Sequence, residues 1–162
     1  MPAPDLETIY DPESAIELAA KNVLATYSIA AFTQRETEKL PVPRVDVELQ
    51  ITGARTHRGQ RAAGIRTQDA WDGTLTFWVV TDRPRSGVVV TLARRHHIMR
   101  ARVRMACTYF LEKFTAGVLP YHVLSHITEA GSDPQVNIDD DIDISVLRYT
   151  VVVSVRTGQW PV

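Results

Sequence analysis

Between residues 45 and 51 apolar and polar side chains alternate without a break: Val45, Val47, Leu49 and Ile51 against Asp46, Glu48 and Gln50. A period of two is what a strand with one buried face requires, because successive side chains point to opposite sides of its backbone. The period returns at 74–81, with Leu75, Phe77 and Val79 on one side and Thr74, Thr76, Trp78 and Val80 on the other. It returns again where Leu147, Tyr149, Val151, Val153 and Val155 alternate with Arg148, Thr150, Val152, Ser154 and Arg156. Residues 121–130 carry a weaker strand pattern. Two other stretches have helical spacing. Asp11 before Pro12 signals a helix start, and Ile16, Ala20, Val23, Leu24, Tyr27 and Ala31 then share one face while Glu13, Glu17 and Lys21 are turned away. From 87 to 111 a longer helix collects Val88, Leu92, His96, Met99, Val103, Ala106, Cys107 and Phe110 on one side.

That second helix is not polar on its other side. Ile98, Ala101, Met105 and Tyr109 form a narrower apolar stripe, with Arg94, Arg95, Arg100, Arg102 and Arg104 around and between the two. A helix apolar on two sides is either enclosed by its own fold or exposes a stripe to another subunit, and the subunit contact is the favoured expectation. The order helix, two strands, helix, two strands predicts an α+β domain over 1–162: a four-stranded, mainly antiparallel sheet with both helices on one face. Residues 1–10 read as a disordered lead. Residues 53–72 carry Arg55, His57, Arg58, Arg61 and Arg66 without apolar periodicity, so they read as a long basic loop or the tip of a projecting hairpin. Residues 131–145 read as a polar connection holding Asp139, Asp140, Asp141 and Asp143.

Charge changes this picture more than composition does. The chain has 162 residues and a formal net charge of −1. Resolved along the chain, residues 1–43 carry net −4, residues 44–104 net +7 and residues 105–162 net −4. Either the fold neutralises these blocks internally, or it presents opposite signs on opposite edges for head-to-tail association. One cysteine, Cys107, forms no internal disulfide, and no secretory leader is recognisable, so an intracellular product is expected. The uncharged run 114–128 is too short and too polar for a bilayer span, so no membrane partner is expected.

Motifs for chemistry fail one by one. His122 and His126 would lie about 13 Å apart on a strand, too far to share a metal, and Val123 breaks the HExxH pattern. His96 reads as a hydrogen-bonded core residue. The aspartate cluster lacks the spacing and distal glutamate of an EF-hand, and Cys107 sits among apolar neighbours where a thiol stays protonated. No nucleophile elbow, P-loop or dinucleotide fingerprint is present. No catalytic, cofactor-binding or metal-binding residue is expected, and neither a cofactor nor an enzyme activity. A nucleic-acid-binding accessory protein using Arg55, Arg58, Arg61 and Arg66 stays as an alternative, against which stand an aromatic content of 7% and the near-neutral net charge.

One resemblance runs along nearly the whole chain. The stretches LPVPRVDVELQITG at 40–53, DGTLTFWVVTDR at 72–83, RHHIMRARVRMAC at 95–107, LPYHVLSHITEAGSDPQV at 119–136 and DISVLRYTVVVSVRTGQWP at 143–161 together resemble tail-terminator and tail-completion proteins of long-tailed bacteriophages. The resemblance lies in order and texture, and the head-completion (stopper) proteins of the neighbouring ring share part of it. It implies a non-enzymatic virion protein of the tail and neck, assembled in the host cytoplasm as a ring, usually a hexamer. Such a ring caps the tail tube and docks to the head connector or stopper, with a tail sheath as a further neighbour and DNA passing through the lumen. On that reading the subunit or ring contacts fall to Arg55, Arg58, Arg61, Arg66, Ile98, Arg100, Arg102, Arg104 and Met105. Asp139, Asp140, Asp141 and Asp143 would form the acidic contact or a negative lumen wall.

Overall fold

Asp11 starts the first long helix through its side chain. Its Oδ1 accepts from Ser14 N at 3.0 Å, and Pro12 opens the helix where an N–H would have no partner. The computed structural model describes residues 6–33, 41–55, 70–82, 89–111, 117, 119–139 and 142–155. In chain order these are a one-turn helix α1 (Leu6–Ile9), α2 (Pro12–Thr26), β1 (Ala31–Thr33), β2 (Arg44–Arg55), β3 (Ala70–Asp82), α3 (Val89–Met105) continued by a wider π-type turn at Ala106–Leu111, then β4 (His122–Asp139) and β5 (Ile142–Val155). The broad α+β class is as expected.

The sheet differs from the expectation in one strand. It has five strands in the order β1-β2-β3-β5-β4, and β1 runs parallel to β2 while the other pairs are antiparallel. The extra strand arises because α2 stops earlier than its apolar spacing suggested. Tyr27 N and Ser28 N donate to the Leu24 and Ala25 carbonyls, Ser28 adopts a left-handed φ of 58°, and Ile29 N returns to Leu24 O at 3.1 Å. The chain is thereby turned sideways into β1, and Val45 N donates to Ala30 O at 2.9 Å. Ala31, expected on the helix, pairs with Val45.

β1 is only three residues long, which leaves the rest of the β2 edge to another acceptor. Glu17, 4% exposed, accepts from Leu49 N at 3.0 Å, and Glu13 accepts from Ile51 N at 3.4 Å. Both glutamates had been expected to face water. They act instead as a substitute strand, giving successive edge N–H groups the partners that a longer β1 would have supplied.

One face of the sheet carries the core. Val45, Val47, Leu49, Leu75, Phe77, Val79, Leu124, Leu147, Tyr149, Val151 and Val153 pack under Ile16, Ala20, Val23 and Leu24 of α2 and under Met99, Val103, Ala106 and Cys107 at α3 and its continuation. The helices therefore cover the same face, as expected. The segment 53–72 is less of a loop than the sequence suggested. The β2–β3 ladder extends past a bulge at Ile51/Gly53 to Arg55↔Ala70, and what remains of the segment lies outside the described residues. Gly73 is required beside that bulge, where a Cβ would stand 3.0 Å from the Gln50 carbonyl oxygen. The expected polar connection at 131–145 is also mostly strand. β4 continues to Asp139 through four register shifts, and β5 begins at Ile142.

Glu17→Ala is expected to cost roughly 1–3 kcal/mol in urea unfolding, because the Leu49 N–H loses its acceptor while buried. Glu17→Gln keeps a carbonyl oxygen in place and should cost less; equal and negligible losses for both variants would contradict the edge-capping role.

Candidate functional site

α3 is seated on the sheet through one buried polar side chain. His96 is fully buried; its Nδ1 lies 2.7 Å from Thr81 Oγ1 and its Nε2 lies 2.8 Å from Ser145 Oγ. A neutral imidazole offers one donor and one acceptor, and two rotatable hydroxyls can satisfy both. Burial pushes the His96 pKa below its usual value; Asp143 opposes this, whereas Arg100 and His97 reinforce it. Thr81 and Asp143 are opposite one another in the β3–β5 register, and both are buried. Asp143 is thus corrected. Alternation along β5 turns its carboxylate toward the helix layer, where it is 5% exposed, so it forms no part of an outer acidic surface.

Two turns along α3 from His96, the helix reaches the far edge of the sheet. Arg104 grips Glu129 of β4 with Nε at 3.2 Å from both carboxylate oxygens and Nη2 at 3.1 Å from Oε1. Arg100 lies beside this pair; its Nε is buried without a hydrogen-bond partner among the described residues, and burial together with Arg104 lowers its pKa. These two arginines face the protein's own sheet. Their positions at i+4 and i+8 from His96 put them on its side of the helix, with the Arg104 side chain still 41% exposed.

The outward stripe is where the sequence placed it. Ile98 is 41% exposed and Met105 38%, with Ala101 and Arg102 exposed between them. Beside the stripe a groove of about 590 Å³ separates α3 from the α2–β1 turn and the start of β2. Ile29, Pro43, Ile98 and Met99 supply its apolar lining, and Arg95 and Arg102 its charge. Arg95 also reaches Asp82 at 3.5 Å in an exposed pair. The groove was not foreseen from sequence, because it needs Ile29 and Pro43 beside α3 and that proximity depends on β1.

Two of the remaining expected residues, Arg55 and Asp139, end the ladders of the sheet. Arg55 and Ala70 close the β2–β3 ladder at one end; Asp139 and Ile142 close the β4–β5 ladder at the other. β3 spans the distance from Ala70, paired with Ser154, to Asp82, paired with Ile142, about 40 Å at roughly 3.3 Å per residue. Arg58, Arg61, Arg66, Asp140 and Asp141 lie outside the described residues. Their chain connections leave the sheet at these opposite ends, the basic segment from Arg55 and the acidic turn from Asp139.

Cys107 is buried in the core beside Tyr149. Burial raises the Cys107 thiol and the Tyr149 phenol far above their usual ranges, and each is the other's polar neighbour in the core. Among the described residues, no group of three or more His, Cys, Asp or Glu side chains could hold a metal ion. No helix of the described residues is long and apolar enough to cross a membrane. His122 is also buried, and its Nε2 donates to Ile9 O at 2.8 Å, tying α1 to β4; His126 is exposed. No protein-family model and no curated protein matches the chain.

The two buried histidines set a pH dependence. Burial depresses both below the ordinary value of 6.5. The unfolded chain therefore takes up protons at a pH where the folded chain does not, and stability present above about 6.5 is lost as pH falls below it. Urea midpoints should fall between pH 7 and pH 5. His96→Asn should cost roughly 2–4 kcal/mol at pH 7 and flatten that slope; an unchanged slope would contradict a neutral, buried His96.

Proposed function

We propose that the protein is a structural ring subunit of a bacteriophage tail, a tail terminator that closes the tail tube and joins it to the head connector, with DNA passing through the lumen. The observation that carries the reading is a pair of unlike surfaces at opposite ends of a sheet about 40 Å long: exposed Glu7 and Tyr10 beside Trp71 near the Arg55↔Ala70 end, and exposed Arg95, Ile98 and Arg102 beside the Asp82 end. A heterologous ring needs two different, complementary surfaces on every subunit, and an acidic, aromatic corner at one end with an arginine-rimmed groove at the other supports that reading.

Arg44–Asp46, Arg95–Asp82 and Arg148–Asp133 each stay within one charge block of the sequence; Arg104–Glu129 crosses between blocks. The last is exposed at 41% and 36%, and surface pairs of this kind contribute about 0–1 kcal/mol. The polar groups that could have suggested catalysis support the same reading, since His96, Glu17 and Cys107 are buried and satisfied by, or enclosed in, the scaffold.

Negative-stain imaging of the purified protein with and without tail tubes tests the proposal. Rings of tube diameter, free or seated on tube ends, are expected; dispersed monomers in both samples would overturn it, and rings that bind connectors but never tubes would move the protein to the neighbouring neck ring. Isolated protein should show no steeply salt-dependent affinity for duplex DNA, and a shift in a low-salt binding assay would favour a nucleic-acid-binding role instead.

A further inference from the structure

Four large apolar side chains stand out from the surface among the described residues: Tyr10 and Leu18, each 54% exposed, with Ile98 and Met105. Leu18 shares the outer face of α2 with Ser14 and Asn22, and a single exposed leucine needs no partner. The other three lie in surroundings of opposite sign. Tyr10 stands between exposed Glu7 and half-buried Asp11, in a stretch, 6–20, whose charged residues are all acidic. Ile98 and Met105 stand on α3, whose charged residues are all arginine.

Shape is complementary as well as charge. The Tyr10 ring is supported at its base, edge-on to Trp71 at 6.1 Å between centroids, so it projects from a fixed corner. The α3 side is concave, and its groove of about 590 Å³ falls within the roughly 300–1,000 Å³ range that holds compact ligands. We propose that the Glu7–Tyr10–Asp11 corner of one copy docks in the arginine-rimmed groove of α3 in the next copy. The phenol ring lies on Ile29, Ile98 and Met99 and stacks against a guanidinium; the carboxylates meet Arg95 and Arg102. Tyr and Arg are the residues most suited to such anchors, because a flat ring and a planar fork bury area while keeping their polar edges paired.

The contact is between copies because the two surfaces are at opposite ends of one molecule. Tyr10 belongs to the corner where Trp71 and His122 meet α1, beside the Arg55↔Ala70 end of the ladder. The groove adjoins Pro43 and Arg95, and Arg95 reaches Asp82 at the other end. One copy cannot fill its own groove, and head-to-tail repetition closes into a ring or extends as a filament. The inference rests on the ring reading and names the surfaces that build it.

Sedimentation velocity of the full-length chain tests it with an exchange of charges. Glu7→Arg and Arg102→Glu, both at exposed positions, should each weaken association at least tenfold while the far-UV circular dichroism keeps the parent's α+β signature; the double variant Glu7→Arg/Arg102→Glu should recover association. Tyr10→Ala should weaken it similarly. Single variants that assemble like the parent chain, or a double variant no better than either single, would overturn the inference and leave the ring reading standing. A parent chain that stays monomeric at every concentration, with or without tail tubes, would remove both.

Discussion

Strand register governs where everything else in this molecule can be. β3 and β5 carry the core on one face, and a slip of one residue between them would turn Phe77, Val79, Leu147 and Tyr149 away from the helices. With that pairing held, Thr81, Asp143 and Ser145 share a polar corner under α3, and His96 has one seat in which both ring nitrogens find hydroxyls. The seat sets the rotation of α3 about its axis. Arg100 and Arg104 are directed at β4, while Ile98, Arg102 and Met105 are left facing outward. Register also fixes which end of the sheet each ladder closes at, Arg55 with Ala70 at one end and Asp139 with Ile142 at the other.

The buried polar groups answer the problem of covering a sheet with two helices. α2 lies at an edge that β1 only partly pairs, and Glu13 and Glu17 accept the edge N–H groups that remain. His122 does similar work at the other end, holding the Ile9 carbonyl and so the short α1. Each would cost more to remove than it contributes as a net hydrogen bond, because its partner would be left unsatisfied in the interior. The outer surface of α3 carries no such constraint from the fold, which is why an apolar stripe and a charged groove there speak of an external partner.

The strict period of two made β2, β3 and β5 legible, and the Asp11–Pro12 signal gave the start of α2 to the residue. β4 was partly hidden because its bulges break the alternation: Leu124 and Ile127, three apart, both reach the core. β1 could not be read because three residues hold no period, and only the left-handed turn at Ser28 separates it from the helix. The glutamates were misread for a related reason, since an edge N–H is invisible in a pattern of side chains. On the site, the exposed stripe of Ile98 and Met105 followed from helical spacing, whereas the inward turn of Arg100, Arg104 and Asp143 depended on which side of α3 the histidine anchors and on β5 starting as early as Ile142.

The central claim is that copies of this chain associate head to tail through unlike surfaces, and covalent trapping tests it most directly. A chain carrying Tyr10→Cys and Ile98→Cys together, with the buried Cys107 kept, should oxidise under mild conditions to a ladder of dimers, trimers and higher species ending at the closed ring, and each single variant should give no ladder. Trapping that stops at dimers would mean a two-fold contact of like surfaces, and no trapping at concentrations where the parent chain is oligomeric would mean that these surfaces do not meet; either result would contradict the account.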